Sequence, residues 1–293
     1  MKTAHRNVGT KTSSLTVLGA IDERGNDPVY IVWHHQDWCP MACKMFDLPA
    51  KARREADILK AFTHPNIVRY LGMDGPRHLL MEFLDGSTLS RVIREQKKKH
   101  LSVADAMRVG IHLGAALQHV HDRGFLHLDV KPSNVIVVHG RPVLFDFGTA
   151  RSREGKRPRD AVGTDPYIAP EECLRERGTP AADVFGLGVT LYQLLTGELP
   201  FPEGTKRNPF SQLDKLPVPA RQRRSTIPEQ LDSVLLKCLS RDPSARPSLS
   251  QLLPVLHAFV RSGPPMWPPG FSPDTPAAIT RRRTTNGPNG CRV

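Results

Sequence analysis

The apolar pattern of this chain shifts, near Gly86, from mostly strand-like to mostly helical, and that shift constrains the fold more than any other feature. Ahead of it, apolar and aromatic residues come in short runs. The stretches 15–18, 29–33 and 41–46 are separated by Gly, Asp, Pro and Asn and read as strands. A helix is predicted over about 50–62, with Ala56, Leu59 and Ala61 among charges, and 67–71 and 78–83 read as two more strands. Beyond Gly86 helical spacing takes over. Helices are predicted over 88–96 and over Val103–Asp122, where Ala106, Val109, Ile111, Leu113, Leu117 and Val120 form the apolar set and Gly124 closes the element. Two short strands, 135–138 and 143–145, flank the turn at His139-Gly140, and 146–182 looks irregular. A buried helix over 182–195 ends at Gly197, and 227–239 and 249–260 give further helices. The expectation is an α+β chain with a β-rich first part holding one helix, and a larger helical second part.

Charge narrows the partners. The net charge is +12 over 293 residues. The stretch 261–293 has five Arg against one Asp, and 1–12 adds Lys2, Arg6 and Lys11, which leaves the body 13–260 at +5. That is modest for its size, and no aromatics alternate with the basic runs, so nucleic acid is not an expected partner. The five cysteines are odd in number and form no C-x-x-C pair, which fits free thiols in a reducing compartment. No signal peptide opens the chain and no apolar run approaches the ~20 residues of a membrane span, so a cytoplasmic protein is expected. The segment 261–293, with seven Pro and the Arg281-Arg282-Arg283 run, is expected to be a disordered tail, and 1–14 a polar lead.

The chemistry sits in a set of motifs in one order. Ala42-Cys43-Lys44 lies on a predicted strand and Glu55 on the following helix. His127-Leu128-Asp129-Val130-Lys131-Pro132-Ser133-Asn134 follows the long helix, Asp146-Phe147-Gly148 follows the strand pair, and Ala169-Pro170-Glu171 closes the irregular stretch. Any one could arise by chance; five in order do not. With His64-Pro65-Asn66-Ile67-Val68, Asp183 and Arg246, they make 15–260 resemble the eukaryotic-like Ser/Thr protein kinase family.

The resemblance implies a two-lobed kinase fold, with an N-lobe over about 15–84 and a C-lobe over about 85–260. It also implies transfer of the γ-phosphate of ATP, with Mg²⁺, to Ser/Thr hydroxyls of protein substrates and of the chain itself. Lys44 would hold the α- and β-phosphates and Glu55 would fix Lys44. Asp129 would accept the hydroxyl proton, and Lys131 would offset charge at the γ-phosphate. Asn134 and Asp146 offer the hard oxygens that suit Mg²⁺. Gly19, Val29, Ala42, Met81, Glu82, Leu84 and Ile136 would complete the nucleotide site, with Met81 as gatekeeper and hinge backbone groups recognising adenine. Thr164 would lie near Asp129 and Lys131, and D-x-K-P-x-N points to Ser/Thr rather than Tyr. His127 and Phe147 would stack with Leu59 and Tyr70, and Glu171 would pair with Arg246.

Three departures qualify the resemblance. The glycine positions of the phosphate-covering loop, counted back from Val29, fall on Asp27, Arg24 and Asp22; Gly19 and Gly25 fit only with an insertion. Acidic residues there would repel phosphate. Lys44 and Glu55 are only 11 residues apart, so the connecting segment has to be tight. Leu128 stands where the family has an Arg that pairs with a phosphate on the activation loop, which argues against activation by loop phosphorylation. The loop after Gly148 is rich in basic residues and reads as solvated. The irregular glycine loop and Leu128 favour an alternative, a pseudokinase acting as a binding or scaffold module; the intact Lys44, Glu55, Asp129, Lys131, Asn134 and Asp146 argue against it.

Overall fold

The computed structural model describes residues 8–23, 27–155, 163, 165–202, 204 and 209–260, all within the unit Met1–Ser262. The expectations for Gly25, for Thr164 and for 261–293 lie outside these residues.

The first part is a five-stranded antiparallel sheet and one helix. The strands are β1 (Leu15–Asp22), β2 (Val29–His34), β3 (Cys39–Met45), β4 (Tyr70–Asp74) and β5 (His78–Glu82), in spatial order β1-β2-β3-β5-β4. Alternation along β3 sorts its side chains. Met41, Cys43 and Met45 enter a small outer core with Leu15, Val17, Tyr30, Val32 and Leu80. Ala42, on the other face, joins the main core with Leu79 and Met81. Lys44 shares the parity of Ala42, which puts a lysine on the inner face of a sheet. Helix α1 (Pro49–Leu59) has no side-chain N-cap; Pro49 in its first turn donates no N–H, so one of the usual orphan groups is absent. It buries Ala52, Glu55, Ala56, Ile58 and Leu59 at helical spacing.

Two short strands and two helices open the second part: β6 (Ser87–Thr88), α2 (Leu89–Glu95), α3 (Val103–Asp122) and β7 (Phe125–Leu126). The hairpin β8 (Val135–Val138) and β9 (Arg141–Leu144) pairs with β6. After it come β10 (Arg151–Ser152), paired with β7, and the helices α4 (Pro170–Cys173), α5 (Pro180–Thr196), α6 (Ala220–Arg223), α7 (Glu229–Cys238) and α8 (Leu249–Ala258). Helix α3 starts at a Ser102 cap that accepts from the Asp105 amide at 3.1 Å. Gly124, just past its end, takes φ 81°. Helix α5 is buried nearly all round and stops at Gly197, φ 79°.

Two expectations need correction. The strand predicted over 67–71 is displaced, because Ile67 and Val68 are used elsewhere. Both are 3% exposed, the Val68 amide donates to Leu144 O at 2.9 Å, and Leu144 returns a bond to Asn66 O at 2.8 Å. The stretch predicted as irregular contains β10 and α4, elements too short to show a period. No helix among the described residues is long and apolar enough to cross a membrane.

Candidate active site

Lys44 sits at the centre of the first cluster. Its Nζ donates to Glu55 Oε1 and Oε2, both at 2.9 Å, and to Asp146 Oδ1 at 2.9 Å. The short spacing between Lys44 and Glu55 is met by a three-residue link: β3 ends at Met45 and α1 begins at Pro49. Burial alone would pull the Lys44 ammonium down. The carboxylates of Glu55 and Asp146 outweigh it and raise its pKa, so the lysine is held charged. Burial likewise would raise the Asp146 carboxyl, and Lys44 beside it holds it below the usual range. The Asp146 side chain remains 42% exposed, so one end of this buried triad opens to solvent. Gly148 leaves the space next to it clear; a Cβ there would lie 3.3 Å from both Asp146 Oδ1 and Glu55 Oε2.

The second cluster is the loop after β7. Asp129 is 7% exposed. Lys131 Nζ donates to its Oδ2 at 2.7 Å, and Asn134 Nδ2 donates to Asp129 O at 2.9 Å and Oδ2 at 2.8 Å. Asn134's nitrogen is thus committed, so only its amide oxygen could coordinate a cation. The loop is strained at Leu128, which takes φ 65°, in a region that costs a non-glycine residue about 1–3 kcal/mol. Asp183, fully buried on α5, offsets this. It accepts from the His127 and Leu128 amides at 2.9 and 2.7 Å, and its Oδ2 lies 2.7 Å from His121 Nε2. Gly163, φ 122°, lets the following segment approach: a Cβ there would lie 2.7 Å from Leu128 O and 3.8 Å from Asp129 Oδ1.

The expected nucleotide-site residues divide by environment. Ala42, Met81 and Leu84 belong to the main core, and Val29 and Ile136 pack against it. Ala42 and Met81 are directly paired across β3 and β5. Glu82 is engaged with Arg69, whose amide donates to its carboxylate at 2.9 Å, so its side chain has a structural partner. Gly19 sits at a bulge of β1 with open space where its Cβ would be. The acidic residues near it are engaged: Asp27 Oδ1 accepts from the Asp47 amide at 3.3 Å, and Glu23 accepts from the Tyr30 hydroxyl at 3.2 Å. Held in this way, these two carboxylates have contacts other than phosphate.

Two of the predicted structural contacts form. His127 and Phe147 meet edge to face at 4.7 Å, and Phe147 shares the main core with Leu59, against which Tyr70 packs. Arg246 makes a bidentate pair with Glu171, Nη1–Oε1 2.6 Å and Nη2–Oε2 2.7 Å. Sequence reasoning missed Arg54, Arg151, Glu172 and Arg177. It read the loop after Gly148 as solvated; Arg153 is exposed, but Arg151 is paired with the buried Glu172, and Lys156, Arg157 and Arg159 lie outside the described residues. Arg177 Nη2 donates to Arg153 O at 2.6 Å. The only sequence signal was a second Glu directly after Glu171.

The chain matches the protein kinase domain family over residues 25–258. It is 36% identical over 217 residues to Serine/threonine-protein kinase PkaA of Streptomyces coelicolor, covering 70% of this chain and 39% of that protein. It is 30% identical over 241 residues to Serine/threonine-protein kinase PknB of Mycobacterium leprae, covering 78% and 37%. It spans about two fifths of the length of these relatives. The crystal structure of the Mycobacterium tuberculosis PknI kinase domain superposes with a TM-score of 0.68 at 23% identity, covering 87% of this chain and all of that one, which is a likeness of fold.

Proposed function

This chain belongs to the protein kinase domain family, and from that premise we propose that it transfers the γ-phosphate of ATP to Ser/Thr hydroxyls of protein substrates. The observation that supports this most strongly is the Lys44 ammonium held 2.9 Å from both Glu55 and Asp146. A charged, oriented lysine beside an open carboxylate suits a polyphosphate and its counter-cation. The formed Lys44–Glu55 pair also argues against a pseudokinase.

Each residue has a task in this reading. Lys44 binds the α- and β-phosphates, and Glu55 fixes its position. Ala42, Val29, Met81, Leu84 and Ile136 supply the apolar walls for adenine, with hinge backbone groups giving the polar contacts, and Gly19 leaves room above the phosphates. Asp146 and the amide oxygen of Asn134 are hard donors that would hold Mg²⁺. A bound Mg²⁺ would neutralise charge on the phosphate oxygens.

Asp129 orients the substrate hydroxyl and takes its proton as the new O–P bond forms and the bond to the β-phosphate oxygen breaks, releasing ADP. Lys131, already 2.7 Å from Asp129, offsets the charge on the transferring group. The free thiols of Cys39, Cys43, Cys173 and Cys238 suit a reducing, cytoplasmic setting.

The reading is tested by incubating the protein with γ-labelled ATP and myelin basic protein, with Mg²⁺ or with EDTA. Label on Ser and Thr that EDTA abolishes is the expected result. Label that persists in EDTA, or that falls on Tyr alone, contradicts it.

A further inference from the structure

The transfer chemistry does not use the buried pair Arg151–Glu172. Glu172 is 1% exposed on α4, directly after the Glu171 that pairs with Arg246. The Arg151 guanidinium, 14% exposed, donates to Glu172 Oε2; Glu172 Oε1 is buried with no hydrogen-bond partner among the described residues. Burial pushes the Glu172 carboxyl above its usual range and Arg151 works against it, so the carboxylate depends on that guanidinium. Gly178 lies flat against the pair: a Cβ there would be 3.1 Å from Arg151 Nη2 and would run into Glu172 Oε1. The site is therefore closed over by a residue without a side chain.

What the pair holds connects it to Lys44. Arg151 begins β10, which pairs with β7 immediately ahead of the Asp129 loop. Its neighbour Ala150, 0% exposed, accepts a hydrogen bond on its carbonyl from Arg54 Nη2 at 2.7 Å. Arg54 adjoins Glu55 on α1, and Glu55 holds Lys44. A second tie runs from the Arg153 amide to Gly124 O at 2.8 Å. Leu128 is 7% exposed and uncharged, so it cannot anchor an anion on this segment.

We propose that Glu172 is a positioning residue, a carboxylate built into the chain that fixes β10 through Arg151 and, through Ala150 and Arg54, sets α1 so that Glu55 meets Lys44. It rests on the kinase reading above. The start of the segment after Gly148 is thereby anchored by a side chain of the protein itself, and its placement needs no phosphate.

The test compares the full chain with Glu172→Gln, Arg54→Gln and the double variant, after phosphatase treatment. Two readouts are taken: kcat and KM for ATP, and hydrogen exchange of the α1 amides. Phosphatase is expected to leave the unsubstituted chain's kcat unchanged. Each single substitution is expected to lower kcat about ten-fold and to speed α1 exchange, and the double variant to be no worse than the poorer single.

Arg54 is exposed and outside the buried pair, so Arg54→Gln carries the test even if Glu172→Gln fails to fold. The proposal is overturned by Arg54→Gln with unchanged kcat and α1 exchange, by losses that multiply in the double variant, or by loss of kcat on phosphatase treatment. Absence of transfer by the unsubstituted chain would refute the kinase reading instead, while the α1 exchange still reports on the positioning.

Discussion

Replacing Arg246 by Met tests whether the buried pair in the helical part belongs to fold integrity. The Arg246 side chain is 0% exposed and its partner Glu171 is 4% exposed. The guanidinium makes two bonds to Glu171 and donates to Ser240 O at 2.8 Å, Ala181 O at 2.9 Å and Arg241 O at 3.2 Å. It also lies 5.0 Å from the centre of the Phe185 ring. Met fills much of the volume but leaves a carboxylate buried without its cation and takes one donor away from each of three carbonyls. Breaking such a pair costs about 3–5 kcal/mol. For a unit of this size that lowers Tm by about 6–20 °C. Thermal unfolding followed by circular dichroism measures it. Glu171→Met added to Arg246→Met should recover much of the loss, because the stranded charge is gone. A drop below about 1 kcal/mol, or a double variant as unstable as the single, would refute the reasoning.

Three further outcomes follow from the same geometry. Glu55→Gln removes the charge that orients Lys44 and should lower kcat about 10²-fold with a smaller change in nucleotide affinity; steady-state kinetics with unchanged kcat would contradict the pair's role. Burial alone would raise the Asp183 carboxyl, but hydrogen bonding to His121 holds it below its ordinary value of 3.8, so it contributes stability that is present above about pH 4 and is lost as the pH falls further. Urea midpoints from pH 6 down to 3 should therefore fall less steeply in Asp183→Asn than in the parent, and parallel slopes would contradict this. A Cβ added at Gly188 lies 2.8 Å from Cys238 Cβ between α5 and α7, so Gly188→Ala should cost about 1–3 kcal/mol by overpacking, measured by urea titration, and an unchanged midpoint would show that the helices part freely.

How much was legible depends on the range of the signal. Lys44, Glu55, Asp129, Lys131, Asn134 and Asp146 belong to local motifs, and the structure brings Lys44 to Glu55 and Asp146, and Lys131 and Asn134 to Asp129. The long helix Val103–Asp122 has the bounds its 3.6-residue period implies. The strand over 67–71 was misplaced because alternation cannot say which partner a strand will find, and Ile67 and Val68 pair with Leu144. The Arg151–Glu172 pair was invisible for a related reason. Its members are 21 residues apart with no period between them, and a charge in a basic loop looks the same in sequence whether solvated or buried. The departures in the phosphate-covering loop read as a threat to phosphate binding, yet Asp27 and Glu23 have hydrogen-bond partners of their own, which only the fold supplies.

The most direct test of the central claim is γ-phosphate transfer by the unsubstituted chain beside Asp129→Asn, with ATP affinity measured for both. The substitution keeps the shape of the side chain that Lys131 and Asn134 hold and removes its capacity to take a proton. The account predicts that transfer falls about 10²–10⁴-fold while the nucleotide Kd changes little. Equal transfer by the two proteins would contradict it.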